Sequence, residues 1–283
     1  EQRLDELGKL VDRMADQAEK SGSKRGLDLV VLPETAVTSP HGTARERSVP
    51  LAGKVREAGA AIARKHRCYL VLPLDLVEEG KSGPINSNAA VLFDRRGEVA
   101  GIYRKIHPVA WVGADHLEKG ITAGIDTPVF DCDFGKLGIQ ICWDIQYPDG
   151  WAELARKGAE VVAWPTASPA TILPAARASE HRYYVISSTW RDNAAIYEPT
   201  GMQAASVSPD NPILVHEIDL SYEILGWSMN LDDGQALTKK FGDRVGYHYS
   251  SREDFGLFWS NDPALTIADA VRAIRGESLD DQL

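Results

Sequence analysis

Four times along this chain, a stretch with apolar residues at helical spacing leads through a turn into an apolar run too short to be a helix. Leu4, Leu7, Leu10, Val11, Met14 and Ala18 repeat on one helical face, the pattern breaks at SGSKRG, and LDLVVLP follows. Val55, Ala58, Ile62 and Ala63 lead into CYLVLPL around Leu70 to Leu74. Pro148 to Lys157, with proline in the first turn, leads into EVVAWP, and Ala175 to Tyr183 leads into YVISSTW. Unbroken apolar runs of roughly four to eight residues mark strands covered on both faces, since alternation is needed only where one face meets water. Hairpin patterns interrupt this order. NAAVLFD and EVAGIYRK flank a turn at DRRG; PVFDCDFGKLGIQIC turns at Phe134 to Lys136 and ends at Cys142; AAIYEPTG and PILVHEIDL flank a turn at Pro199 to Gly201. The expectation is an α/β fold of mixed sheets with helices packed outside them.

With 43% hydrophobic residues in 283, the chain can bury one large core, and no linker rich in Gly, Ser or Pro divides it, so residues 1–283 read as a single domain. No apolar run approaches the roughly 18 to 20 residues that span a bilayer, and the opening segment is charged and helical rather than signal-like, so no membrane partner is expected. A formal charge of −10 without clustered Lys and Arg argues against nucleic acid and anionic lipid. Cys68, Cys132 and Cys142 are too scattered for a disulfide framework and read as reduced thiols, which suits a cytoplasmic setting. The chain opens at Glu1 rather than Met, so an export signal would have gone with any removed segment.

Three polar residues stand where apolar runs end: Glu34 in VVLPE, Lys105 in IYRK and Cys142 in IQICWD. A strand terminus is where a rigid scaffold hands a side chain to a cleft. The three also fit one chemistry. A thiolate is a strong nucleophile that needs a base or a cation to form at neutral pH, and Glu34 can take its proton. Attack on an amide or nitrile carbon places negative charge on the heteroatom, which Lys105 and the backbone N–H of Trp143 can stabilise. No metal is needed: His107 and His116 show no spacing used by zinc sites, and nothing in the sequence suggests a cofactor.

LVVLPE, YRKIHP and GIQICWDIQYPDGWAELARKGAEVV closely resemble the three signature blocks of the nitrilase, or carbon-nitrogen hydrolase, superfamily. GAEVVAWPTAS, ARASEHRYYV and YEPTG resemble its later segments, and the resemblance runs from about Leu4 to Leu220. It implies a four-layer αββα sandwich, a thioester on Cys142, water activated through Glu34, and assembly into a homodimer or larger homo-oligomer. Glu118, in LEKGITAG, stands where the family keeps a second glutamate that helps position the lysine and the substrate. Two departures stand out. The family's first strand, ahead of the opening helix, is absent, and residues 221–283 carry no motif that matches the family's. That tail reads as an extension packing on the domain or at a subunit contact, with a last amphipathic helix in DPALTIADAVRAIRG.

Taken alone, each residue has a plainer reading. Cys68 and Cys132 are core thiols, and Cys142 departs from them only through its company. His107 reads as a structural hydrogen-bonding group. Trp111, His116, Trp143, Thr166, Ser168 and Trp190 are assigned to the wall of a substrate pocket. The CWD motif resembles amide- and carbamoyl-cleaving members, where many nitrilases have CWE. The first expectation is therefore hydrolysis of a small linear amide or N-carbamoyl amine, with ammonia released. Nitrile hydrolysis, acyl transfer and a catalytically silent homologue are the alternatives.

Overall fold

The computed structural model describes residues 2–22, 26–39, 41–110 and 116–274. The elements run in the order α1 (Gln2–Lys20), β1 (Leu29–Val31), α2 (Ala44–Arg47), α3 (Gly53–His66), β2 (Tyr69–Gly80), β3 (Gly83–Phe93), β4 (Val99–Arg104), β5 (Val129–Cys132) and β6 (Gly135–Ile139). There follow α4 (Pro148–Arg156), β7 (Val161–Thr166), α5 (Ile172–His181), β8 (Tyr184–Thr189), β9 (Ala195–Tyr197) and β10 (Gln203–Ser206). The tail adds β11 (Tyr222–Gly226), α6 (Gln235–Phe241), β12 (Val245–Ser250), β13 (Phe255–Ser260) and α7 (Ile267–Ile274). Among the described residues, no helix is long and apolar enough to cross a membrane.

The strands form two mixed sheets and a smaller one, ordered β1-β2-β3-β4, β10-β9-β8-β7-β6-β5 and β11-β13-β12. β1 runs parallel to β2, and β6, β7 and β8 run parallel to one another, while the remaining neighbours are antiparallel. Period-two alternation assigns the faces. Leu70, Leu72, Leu74 and Leu76 of β2 pack outward with Leu7 and Val11 of α1 and Ile62 of α3, whereas Tyr69 and Val71 point inward to Leu137, Ile139 and Val161 of the second sheet. Val162 and Trp164 of β7 face outward onto Trp151 and Leu154 of α4 and Ala178 of α5. Helices, sheet, sheet and helices thus stack as an αββα sandwich around three apolar interfaces. Two close approaches need glycine: a Cβ on Gly59 would come within 2.6 Å of Phe93 where α3 crosses its sheet, and one on Gly101 within 2.2 Å of Phe130 between the sheets.

Some sequence expectations need correction. The PVFDCDFGKLGIQIC hairpin turns at Asp133 and Phe134, because Cys132 already pairs with Gly135, and its strand ends at Ile139. PILVHEIDL forms no strand; β9 pairs instead with Gln203–Ser206, and residues 212–219 run without ladder partners while Val215 and Leu214 still reach two different apolar interfaces. Apolar alternation measures burial of side chains and is blind to whether a neighbouring strand is there to bond. The β2–β3 hairpin, with eleven paired positions, also extends well past CYLVLPL, through the polar stretch up to Gly80. In the tail, Ile224 and Leu257 join the core between the two large sheets, and α6 and α7 cover the small sheet's other side through Leu237, Ile267 and Val271.

Candidate active site

Glu34 follows β1 by three residues, after Pro33 has ended the strand and Leu32 N–H has made a last bond to Val71 O at 3.2 Å. Lys105 follows β4 directly; its N–H continues the ladder to Asn88 O at 2.8 Å, and its own carbonyl accepts from Gly124 at 2.8 Å. Glu118 sits in a short turn, Leu117–Lys119, with left-handed backbone at φ 40°. All three side chains are buried, Lys105 at 1% exposure. A charge so far from water is tolerable only when paired and hydrogen-bonded.

The pairing is complete. Lys105 Nζ donates to Glu34 Oε1 at 3.1 Å and, by a short contact, to Glu118 Oε1. Asn88 Nδ2 bridges the two carboxylates at 2.8 Å from Glu34 Oε1 and 3.2 Å from Glu118 Oε2. Backbone amides supply the rest: Ala167 N–H to Glu34 Oε2 at 3.0 Å and Val109 N–H to Glu118 Oε1 at 2.9 Å. Burial opposes the charge on Lys105, but Glu34, Cys142 and Glu118 outweigh it and hold the ammonium well above the usual lysine range.

Cys142 approaches this group from the opposite sheet. It opens a single tight turn, Cys142–Gln146, three residues past the end of β6, with φ at +43°. That conformation costs a non-glycine residue about 1–3 kcal/mol unless its surroundings fix it. Asp144 fixes it. Fully buried, its carboxylate accepts from Ile141 N–H at 2.9 Å, Tyr103 OH at 2.8 Å and His107 N–H at 2.9 Å, with His107 Nδ1 at 3.0 Å. Burial and the neighbouring Asp144 push the Tyr103 phenol far up, so it remains a donor. Trp164 Nε1 holds the Cys142 carbonyl at 3.1 Å. Burial, reinforced by the Glu34 carboxylate and only partly offset by Lys105 and the Ala167 amide, which lower it, pushes the Cys142 thiol up to about 11.

Glu34, Lys105, Glu118 and Cys142, named from sequence, are thus brought together. Of the residues assigned to the pocket wall, Trp143 and Trp190 are partly exposed, and Trp190 Nε1 donates to Glu34 O at 3.0 Å, propping the backbone of that residue. Thr166 is buried and its hydroxyl accepts from Ser168 N–H at 2.8 Å, while Ser168 Oγ accepts from Ala170 N–H at 3.2 Å, so both hydroxyls shape the loop that presents Ala167. His116 is exposed, just ahead of the Glu118 turn. Trp111 lies outside the described residues. His107 makes the structural hydrogen bonds expected of it, and it also stacks on Tyr147 at 3.8 Å. Asn88 shows in the sequence only as the polar residue ahead of the apolar run AAVLF, and the Asp144 carboxylate of the CWD motif faces the turn. Two cavities, of about 430 and 280 Å³, lie along α1, and Trp190 lines the smaller of them.

The carbon-nitrogen hydrolase family model matches residues 2–224. A protein named nitrilase from Pyrococcus abyssi is 33% identical over 181 residues, 61% of this chain and 66% of that one. An omega-amidase from Xenopus laevis is 28% identical over 226 residues, 72% of this chain and 80% of its own length. The crystal structure of a carbon-nitrogen hydrolase from Helicobacter pylori shares the fold at a TM-score of 0.65 and 22% identity, covering 77% of this chain and 84% of that one. The match over residues 2–224 takes in both large sheets and every side chain gathered around Cys142, and by it the chain belongs to the carbon-nitrogen hydrolase family.

Proposed function

We propose that this chain hydrolyses a small linear amide or N-carbamoyl amine through a thioester on Cys142, with Glu34 as base and Lys105 as the electrostatic partner. The observation that carries this reading is the Lys105 ammonium held between two carboxylates beside a thiol that burial keeps protonated. Such a thiol attacks only if its proton leaves in the same step, and Glu34 is the acceptor in reach. The sulfur then bonds to the carbonyl carbon, and the oxygen's developing charge meets Lys105 and the Trp143 N–H. Glu34 returns the proton to the departing ammonia, next takes one from water, and the resulting attack releases the acid and the thiol. Glu118 and Asn88 keep Lys105 and Glu34 in register throughout.

A nitrile would enter the same machinery and is the second reading, favoured by the name of the Pyrococcus relative. The exposed Tyr147 and Ile172 are apolar surface that a homodimer or larger homo-oligomer would cover. Ammonia release from a panel of simple amides, N-carbamoyl amines and nitriles, run beside Cys142→Ala, tests the proposal. Release from the amide or carbamoyl class that vanishes in the variant is expected; release that survives the substitution sinks the mechanism.

A further inference from the structure

We infer that Arg47 and Asp75 act as a positioning pair that ties together the two loops carrying Glu34 and Glu118, a role that rests on the hydrolytic reading of that site. Asp75 lies in the middle of β2 with no exposure, and Arg47, at the end of α2, is nearly as deep, with Nε 2.6 Å from Asp75 Oδ2. Arg47 has two more contacts: Nη2 to the Glu118 carbonyl at 3.1 Å and Nη1 to Gly42 O at 3.0 Å. Asp75 also has a second partner in Thr38, whose hydroxyl donates to Oδ2 at 3.2 Å and accepts from Asp75 N–H at 3.1 Å. Thr38 closes the turn that begins just after Glu34, through Thr38 N–H to Thr35 O at 3.2 Å.

A purely structural ion pair is a poor explanation for this arrangement. Asp75 Oδ1 is buried with no hydrogen-bond partner among the described residues, and apolar replacement of such pairs is often neutral or stabilising. What apolar residues cannot do is hold the carbonyl of Glu118. That residue sits in left-handed backbone, and its carboxylate must reach Lys105, Asn88 and Val109 N–H at once. The guanidinium fork reaches a carboxylate and a carbonyl simultaneously, which an ammonium does less well. Across sheet register, Asp75 faces Asn88, so the pair also lies directly behind the amide that bridges the two glutamates.

The test replaces both charges together, as Arg47→Met with Asp75→Leu, and reads the melting temperature, kcat and KM on the best substrate of the parent, and the rate of iodoacetamide labelling mapped to Cys142 by peptide mass. Positioning predicts a folded protein with kcat lowered about tenfold, KM within about twofold, and slower Cys142 labelling, since a loosened Lys105 stabilises the thiolate less. A folded double variant with parental kcat and labelling rate overturns the inference. Should that variant fail to fold, Arg47→Lys decides, because it keeps a cation for Asp75 and is expected to lose the Glu118 carbonyl: reduced kcat at parental melting temperature supports positioning, and parental kcat overturns it. The labelling rate needs no substrate, so it still reports on Arg47 and Asp75 if the parent proves silent toward amides, carbamoyl compounds and nitriles alike.

Discussion

The lysine with its two glutamates and the turn bearing Cys142 face each other across the sandwich, and they are built on opposite terms. The charged group hangs from the β1–β4 sheet, is buried, and has its carboxylate oxygens and ammonium met by Asn88, backbone amides and each other. The cysteine turn hangs from β6 and carries a partly exposed, strained residue held by an uncharged frame of indole, phenol and amide groups around one buried aspartate. Fixed charge is concentrated in the buried group, and the partly exposed residue is Cys142. The proposed hydrolysis reconciles a thiol pushed up to about 11 with reactivity by handing its proton to Glu34 in the step of attack.

Three substitutions or conditions should pull these regions apart. The largest effect is expected from Glu34→Gln, with turnover lowered at least about a thousandfold and both formation and breakdown of the thioester slowed in single-turnover experiments. The same variant should label faster with iodoacetamide at pH 9 than the parent, because Glu34 raises the thiol and its removal lets Lys105 act alone. Equal or slower labelling would show that Glu34 does not face the sulfur. Next, Asp144→Ala orphans Ile141 N–H and Tyr103 OH in a buried turn, and is expected to cost about 3 kcal/mol in denaturant unfolding. A loss under about 1 kcal/mol would mean the turn holds itself. The smallest effect is the difference that a pH ramp shows between the parent and Cys142→Ala. Burial raises Cys142 and Cys68 to about 11 and Cys132 to about 12. A thiol raised in the folded state contributes stability below its unfolded pKa of roughly 8.5 and loses it as pH climbs toward the folded value. Stability should therefore fall between about pH 9 and 11, by about 1 kcal/mol for Cys142 alone near pH 9.5, and the fall should be smaller in Cys142→Ala.

The strands flanked by helices were legible because burial on both faces leaves an unbroken apolar run, as in Val161 to Trp164. Lys105 and Cys142 were legible because polar groups at strand ends contrast with what precedes them. Less could be read where partners lie far off in sequence. Asp75 interrupts LVLPLDLV as plainly as Glu34 ends LVVLP, but its meaning depends on Arg47 and on the Glu118 carbonyl, neither of which leaves a local trace. The tail was opaque for a different reason: alternating aromatics such as Tyr247 and Tyr249 were visible, but not that the small sheet would seal the edge of the central core through Ile224 and Leu257.

The bond from Ala167 N–H to Glu34 spans 133 residues, and the Lys105 contact to Glu34 spans 71. Contacts of that separation close large loops and are intrinsically slow to form, so the order of folding matters for this chain. The local β2–β3–β4 hairpins can zip early, yet a chain halted there would hold Lys105 and Asn88 with no sulfur opposite them. Until the second sheet docks, Cys142 is an ordinary exposed thiol, free of the burial that later keeps it protonated. The newly made chain is thus most vulnerable to stray oxidation or alkylation at Cys142 during assembly, and docking of the two sheets is the step that ends that exposure.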